Sequence, residues 1–163
     1  MKKIIALILI ATCIFTFSSC GLLEGEKDYE AEEKVFVFHD LKITLTESFE
    51  IDEEGDDTVW YESSDETSVS IDLYSDIGEM DLDLFVEELR KESAYKQVSN
   101  IKNDNGLTYI ECEVESLGFE FLYMIAFYED GDDMYMVFFM CDMDDYDTYE
   151  EHFIKWAKSV EIE

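Results

Sequence analysis

The 163-residue sequence contains no proline, two histidines, seven glycines, and 11 lysines and arginines against 42 aspartates and glutamates. Without proline, no segment is a proline-rich rod. The glycines stand singly, so no glycine-rich loop can cradle a phosphate. A nucleophilic triad needs a histidine near a Ser or Cys, and His39 and His152 are the two candidates; neither has a second His or Cys three or four residues away, as a zinc site would. His39 precedes Asp40 in a turn and His152 lies in an amphipathic segment, so both read as surface or boundary residues. A net charge of −31 speaks against nucleic acid and against simple electrostatic attachment to anionic lipid. High charge also marks disordered chains, but 47% hydrophobic and 15% aromatic residues are those of a chain that folds. No constellation commits the chain to catalysis, and no cofactor or small-molecule substrate is indicated.

Four cysteines are present: Cys13, Cys20, Cys112 and Cys141. Lys2 and Lys3 precede an apolar run over residues 4–17. As a helix this run reaches ~21 Å, short of the ~30 Å of a bilayer core, so it reads as a signal-peptide hydrophobic region. Ser18-Ser19-Cys20-Gly21 follows directly and resembles a bacterial lipobox, with Phe17 where that pattern usually has Leu. The resemblance implies cleavage before Cys20 and a diacylglycerol on its thiol, whose two acyl chains meet the minimum for stable anchoring. Residues 1–19 are then a signal peptide, residues 20–34 an acidic flexible tether, and residues 35–163 a single domain. Loss of Lys2 and Lys3 leaves nine basic residues against 42 acidic ones, a charge of −33. The expected location is the extracytoplasmic face of the cell membrane.

Within the domain, short strands are expected over residues 35–38, 42–45, 58–62 and 68–74, with an acidic loop over residues 52–57. In residues 68–74, Val69, Ile71 and Leu73 alternate with Ser68, Ser70 and Asp72. Residues 81–95 show an apolar stripe of Leu82, Phe85, Val86 and Leu89, with Asp81 as N-cap. Asn105-Gly106 marks a turn before a strand over residues 107–115, where Ile110, Cys112 and Val114 alternate with glutamates. Residues 119–128 and 134–141 are apolar on both faces and belong in the middle of a sheet covered above and below. A final helix over residues 147–159 carries Tyr149, Phe153, Trp156 and Val160 at helical spacing, with Asp147 and Glu150 as a capping box. The architecture expected is α+β: an antiparallel sheet with helices on both faces, an α/β/α sandwich. Cys112 and Cys141 should each lie opposite residue ~122 from its two sides, ~9.5 Å apart and beyond disulfide reach.

This order of elements resembles the PsbP/Mog1-like superfamily, an architecture shared by bacterial lipoproteins. The resemblance spans residues 35–162. It rests on Ile43-Thr44-Leu45 leading into Ser48-Phe49, the aromatic meander over residues 123–139, and the ending Phe153-Ile154-Lys155-Trp156-Ala157-Lys158-Ser159-Val160. Relatives often carry proline before the aromatic residue after the second strand, where Thr46-Glu47-Ser48 stands here. Functions in the superfamily range from photosystem assembly to GTPase binding, so the resemblance implies a fold and no particular activity.

Acidic runs at residues 52–57, 129–133 and 142–147 are the one chemical feature, since carboxylate oxygens are what calcium takes. Glu50, Asp52, Glu54 and Gly55 approach EF-hand spacing, but Tyr61 occupies the position that needs a bidentate carboxylate. The other two runs lie at opposite ends of one strand and cannot join. The sequence thus points to a non-enzymatic, membrane-tethered interaction module whose protein partner has a basic surface; divalent-cation binding is the alternative.

Overall fold

Strand-forming segments joined by tight turns fill most of the chain between Glu33 and Asp142. The computed structural model describes residues 32–77, 80–116 and 118–163. The expected leader, Cys20 and nearly all of the tether lie outside these residues. β1 (Glu33–Phe38) and β2 (Leu41–Thr46) form a hairpin, which the C-terminal β11 (Glu161–Ile162) joins at the far side of β2. β1 thus starts two residues earlier than its apolar alternation suggests. An eight-stranded antiparallel sheet contains β3 (Phe49–Glu54), β4 (Thr58–Ser63), β5 (Ser68–Tyr74), β6 (Tyr95–Lys96), β7 (Lys102–Asp104), β8 (Leu107–Ser116), β9 (Phe119–Asp130) and β10 (Asp133–Asp142). Its order is β3-β4-β5-β10-β9-β8-β6, with β7 also paired to β8. Helix α1 (Leu82–Leu89) follows β5, and helix α2 (Tyr146–Lys158) follows β10 through a single 3₁₀ turn.

β9 and β10 are apolar on both faces, and alternation sends their side chains to two separate cores. Val137 and Phe139 enter one cluster; Met136 and Phe138 enter the other. The first cluster also takes Phe36, Phe38, Leu41, Ile43 and Leu45 from the β1–β2 hairpin, and Tyr149, Phe153, Trp156 and Ala157 from α2. The second takes Phe85, Val86 and Leu89 from α1, together with Tyr95. Cover on the first side is therefore shared between a small sheet and a helix. Within it, Trp156 meets Phe49 edge-on at 5.3 Å, and Phe153 packs on Phe139 at 5.6 Å and Tyr149 at 5.9 Å.

Local chemistry explains the element ends. Asp81 caps α1, its carboxylate accepting from the Leu84 N–H at 3.0 Å. The apolar stripe ends at Leu89, so α1 stops well short of residue 95. Arg90 then turns to the next segment, donating to the Ser99 carbonyl and Asn100 Oδ1, each at 2.9 Å. The expected capping box at Asp147 does not form: α2 starts at Tyr146, and Asp147 sits in its first turn. Asn105 and Gly106, both at positive φ, make the β7–β8 hairpin turn. Residues 49–54 are a strand rather than part of a loop, because Phe49 is buried and pairing to β4 outweighs the poor strand propensity of the acids. Ser68 and Ser70, expected on a wet face, are buried.

Cys112 pairs with Tyr123 and Cys141 with Leu122, flanking β9 within one residue of the expected register. The cysteines also fall in different cores, on opposite faces of the sheet, and are not bonded to each other.

The packing makes Phe153, with no exposure, the keystone of the first core. Phe153→Ala should cost about 3–5 kcal/mol in urea denaturation. A loss below about 1 kcal/mol would show that α2 does not pack as described.

Candidate functional site

Antiparallel pairing collects strand ends, and with them the acids. The starts of β3, β5 and β9 and the ends of β4, β8 and β10 share one end of the large sheet, as the pairs Phe49↔Ser63, Ser68↔Met140, Ser116↔Phe119 and Phe121↔Asp142 show. Two clefts open there. One, of about 380 Å³, is lined by Glu115, Glu120, Asp142 and Asp144 beside Phe119 and Met143. The other, of about 370 Å³, is lined by Glu50, Asp52 and Glu62 beside Ile51 and three serines. Phe119 and Ile51 are half exposed, so each cleft combines carboxylates with an accessible apolar surface. Such a rim suits a basic surface with some apolar content.

The second cleft carries electrostatic stress. Glu50 lies directly opposite Glu62 across β3 and β4. Partial burial first, then Asp52 and Glu66, raise the Glu62 carboxyl above the ordinary carboxylate range. Nearby Asp65 behaves oppositely: burial pushes it up, but hydrogen bonds from Ser63, Thr67 and Tyr149 outweigh this and hold it low. Because Tyr149 lies on α2, Asp65 fastens the β4–β5 loop to that helix, a structural role.

The residues singled out in the sequence are scattered. The ring of His39 meets the Asp56 carbonyl oxygen at 2.7 Å through Nε2, and packs edge-on against Phe38 at 4.5 Å. His152 packs between Tyr149 and Trp156 on α2. Burial pushes the Cys112 thiol up to about 12, which leaves it unreactive. Glu50, Asp52 and Glu54 lie along a strand that is bulged between Ile51 and Glu53, and cannot curl round a cation as a loop would. The runs at residues 129–133 and 142–147 flank β10 at opposite ends. Among the described residues, no group of three or more His, Cys, Asp or Glu side chains is arranged for a metal ion. None of the described helices is long and apolar enough to cross a membrane.

One polar arrangement was not legible in the sequence. Glu111, expected on a wet face, is mostly buried, with Lys102 Nζ at 2.6 Å. Tyr146 stands at the start of α2, and burial first, then the neighbouring Glu111 carboxylate, raises its phenol. Glu111 therefore ties β8 to β7 through Lys102 and lies close to the start of α2. Only the pairing Lys102↔Tyr109 places Lys102 beside it, and β7 was not foreseen.

Two outcomes follow from the charge. Glu62→Gln should stabilise the protein by about 0.5 kcal/mol at pH 7, as expected for relief of directly opposed like charges. Because the folded-state carboxyl is raised, the folded protein takes up this proton first as pH falls. The advantage of Glu62→Gln should therefore shrink on acidification through that range; an advantage constant down to pH 3.5 would contradict the assignment. Sodium and calcium chloride at matched ionic strength should raise the melting temperature equally by screening. A further rise in calcium would reveal a specific site.

No protein-family model matches the chain, and no curated protein matches its sequence. Solved structures do. The Ran-binding protein Mog1p of Saccharomyces cerevisiae superposes with a TM-score of 0.59 at 10% identity, covering 81% of this chain and 96% of that one. Cyanobacterial PsbP (CyanoP) of Synechocystis gives a TM-score of 0.55 at 13% identity, over 89% of this chain and 98% of that one. A Bacteroides thetaiotaomicron structure gives 0.55 at 10% identity, with 82% of this chain matching 48% of that one. At such identities likeness establishes architecture alone: the domain is mostly antiparallel sheet with two helices, in the PsbP/Mog1-like fold.

Proposed function

We propose that this chain is an exported bacterial lipoprotein, cleaved before Cys20 and lipidated on that cysteine, whose domain is a non-enzymatic interaction module on the extracytoplasmic face of the cell membrane. The observation carrying the tether is Ser18-Ser19-Cys20-Gly21 placed directly after a fourteen-residue apolar run led by two lysines. Residues 20–34 serve as its tether and residues 35–163 as its domain. The observation carrying the binding role is the acidic rim. Its clefts offer carboxylates beside accessible apolar side chains, and among the described residues the histidines pack in turns and ring clusters rather than in those clefts. A protein partner with a basic surface fits this chemistry. One structural neighbour, Mog1p, is itself a Ran-binding protein, which supports a binding role for the fold without identifying a partner here. We read the layering as an α/β/α sandwich, supported by the division of α1 and α2 between the two cores.

Intact-mass analysis of native protein should show loss of residues 1–19 and a diacylglycerol-modified Cys20, and Cys20→Ser should release the protein from membranes. Retention of Met1, or an unmodified thiol at position 20, would end the lipoprotein reading. Affinity capture from membranes, repeated in 50 mM and 500 mM salt, should recover a stoichiometric partner that high salt releases. Absence of any such partner would remove the interaction-module reading.

A further inference from the structure

Open sheet edges expose unpaired backbone groups and invite another strand, so proteins commonly shorten, charge or bulge them. Among the described residues, three of the four sheet edges are managed in these ways. β11 has two residues, and the β6/β7 edge is split into pieces of two and three. β3 has four acids in six residues and a bulge. β1 differs. It has six residues, pairs with β2 in unbroken register, and from Val35 to Phe38 carries no charge.

The direction of its free groups follows from the hairpin. The Glu47 N–H donates to the Glu32 carbonyl at 2.7 Å, in step with the register Glu33↔Thr46. Bonded pairs alternate in an antiparallel ladder, so Lys34, Phe36 and Phe38 point their backbone groups toward β2. The N–H and C=O groups of Glu33, Val35 and Val37 then face an edge that no strand among the described residues covers. Val35 and Val37 are also 57% and 58% exposed, so unpaired backbone and accessible apolar side chains coincide on the same residues.

We propose that the β1 edge accepts an extended segment of a partner protein as a further strand of the small sheet, with apolar residues set against Val35 and Val37 and lysine or arginine between them. This rests on the interaction-module reading and gives it a mode, strand addition, in which backbone bonds bind and alternate side chains select. Charge selects the occupant. A second copy would bring −31 against −31, whereas a basic segment is drawn by the same field. Two of the three cations around the edge are neutralised, Lys155 by Glu33 and Lys42 by Glu163, while Lys34 packs over the Phe36 ring.

Amide hydrogen exchange on the full chain tests the proposal, using as probe a blocked peptide of roughly ten residues that alternates valine and lysine. The peptide should slow exchange at Val35 and Val37 about tenfold or more. A glutamate-for-lysine version of the peptide should not. Val37→Pro removes an edge-facing donor that β2 does not use, and Val35→Lys places a charge on the edge; both should abolish the protection, read at Val35 in the first variant and at Val37 in the second, while leaving the melting temperature nearly unchanged. Protection of Val35 and Val37 without peptide overturns the proposal: if it fades on dilution the occupant is a second copy, and if it persists the chain covers its own edge. Equal protection by the acidic peptide, or none by the basic one, also overturns it. Recovery of the membrane partner by Val37→Pro as efficiently as by the unaltered protein sinks the edge and leaves the interaction module standing. Loss of the partner for both proteins sinks the module reading, and the peptide experiment still decides the edge.

Discussion

Apolar side chains on both faces of β9 and β10 set the requirement that the rest of the molecule meets. Ile125, Val137 and Phe139 have no exposure, and burying each such side chain stabilises the fold by about 1.5–3 kcal/mol. That gain is available only if both faces are dried. One core is closed by the hairpin β1–β2 and α2 with large, interlocked rings. The other takes α1, only eight residues long, and the chain beyond it must extend the cover. The Arg90 guanidinium fixes that extension through the Ser99 carbonyl and Asn100, while Tyr95, Val98 and Ile101 pack on the second core. An exposed arginine thus acts by shaping the apolar cover beside it.

Much of this was legible because side-chain periodicity reports how many faces of an element are dry. The two-faced runs gave the central strands, the alternation in β8 gave a strand with one buried face, and the stripe of Phe85, Val86 and Leu89 gave α1. What escaped notice was decided by pairing rather than period. β3 has one buried residue, Phe49, followed by five exposed ones, so nothing in its composition separates it from a loop. The end of α1 was misplaced because Arg90 and Lys91 resemble helix-favouring cations at a C-terminus, whereas Arg90 leaves the helix to bind the following segment. Glu111 looked wet because alternation cannot show that α2 begins over it.

The site was less legible for the same reason. Acidic runs are visible in the sequence, but only strand pairing shows that Glu50 and Glu62 are directly opposed, or that the two clefts share one end of the sheet. The runs at residues 129–133 and 142–147 lie a full strand apart, as their spacing in the sequence indicates. Residues far apart in the chain, Glu115 and Asp144, came together. Cys20, the residue on which localisation turns, owes its interpretation to local sequence alone and needs no fold to be read.

Charge and edge protection together divide the surface. All eight basic residues among those described are engaged, seven in ion pairs and Lys34 over Phe36. Exposed pairs of this kind add little stability, but they neutralise the patches where they fall. Lys34, Lys42 and Lys155 fall around the small sheet, where Glu32, Asp40, Glu47 and Glu161 also stand. A strongly anionic rim keeps copies of the protein apart at any separation within a Debye length, about 8 Å at physiological salt. Along β1 the backbone is open among the described residues and the exposed side chains are valines. If β1 were guarded like β3, the rim alone would have to hold a partner, and surface charge gives encounter rate more readily than residence. A long-range field combined with one unguarded edge supplies both, attraction from the acids and dwell time from backbone hydrogen bonds.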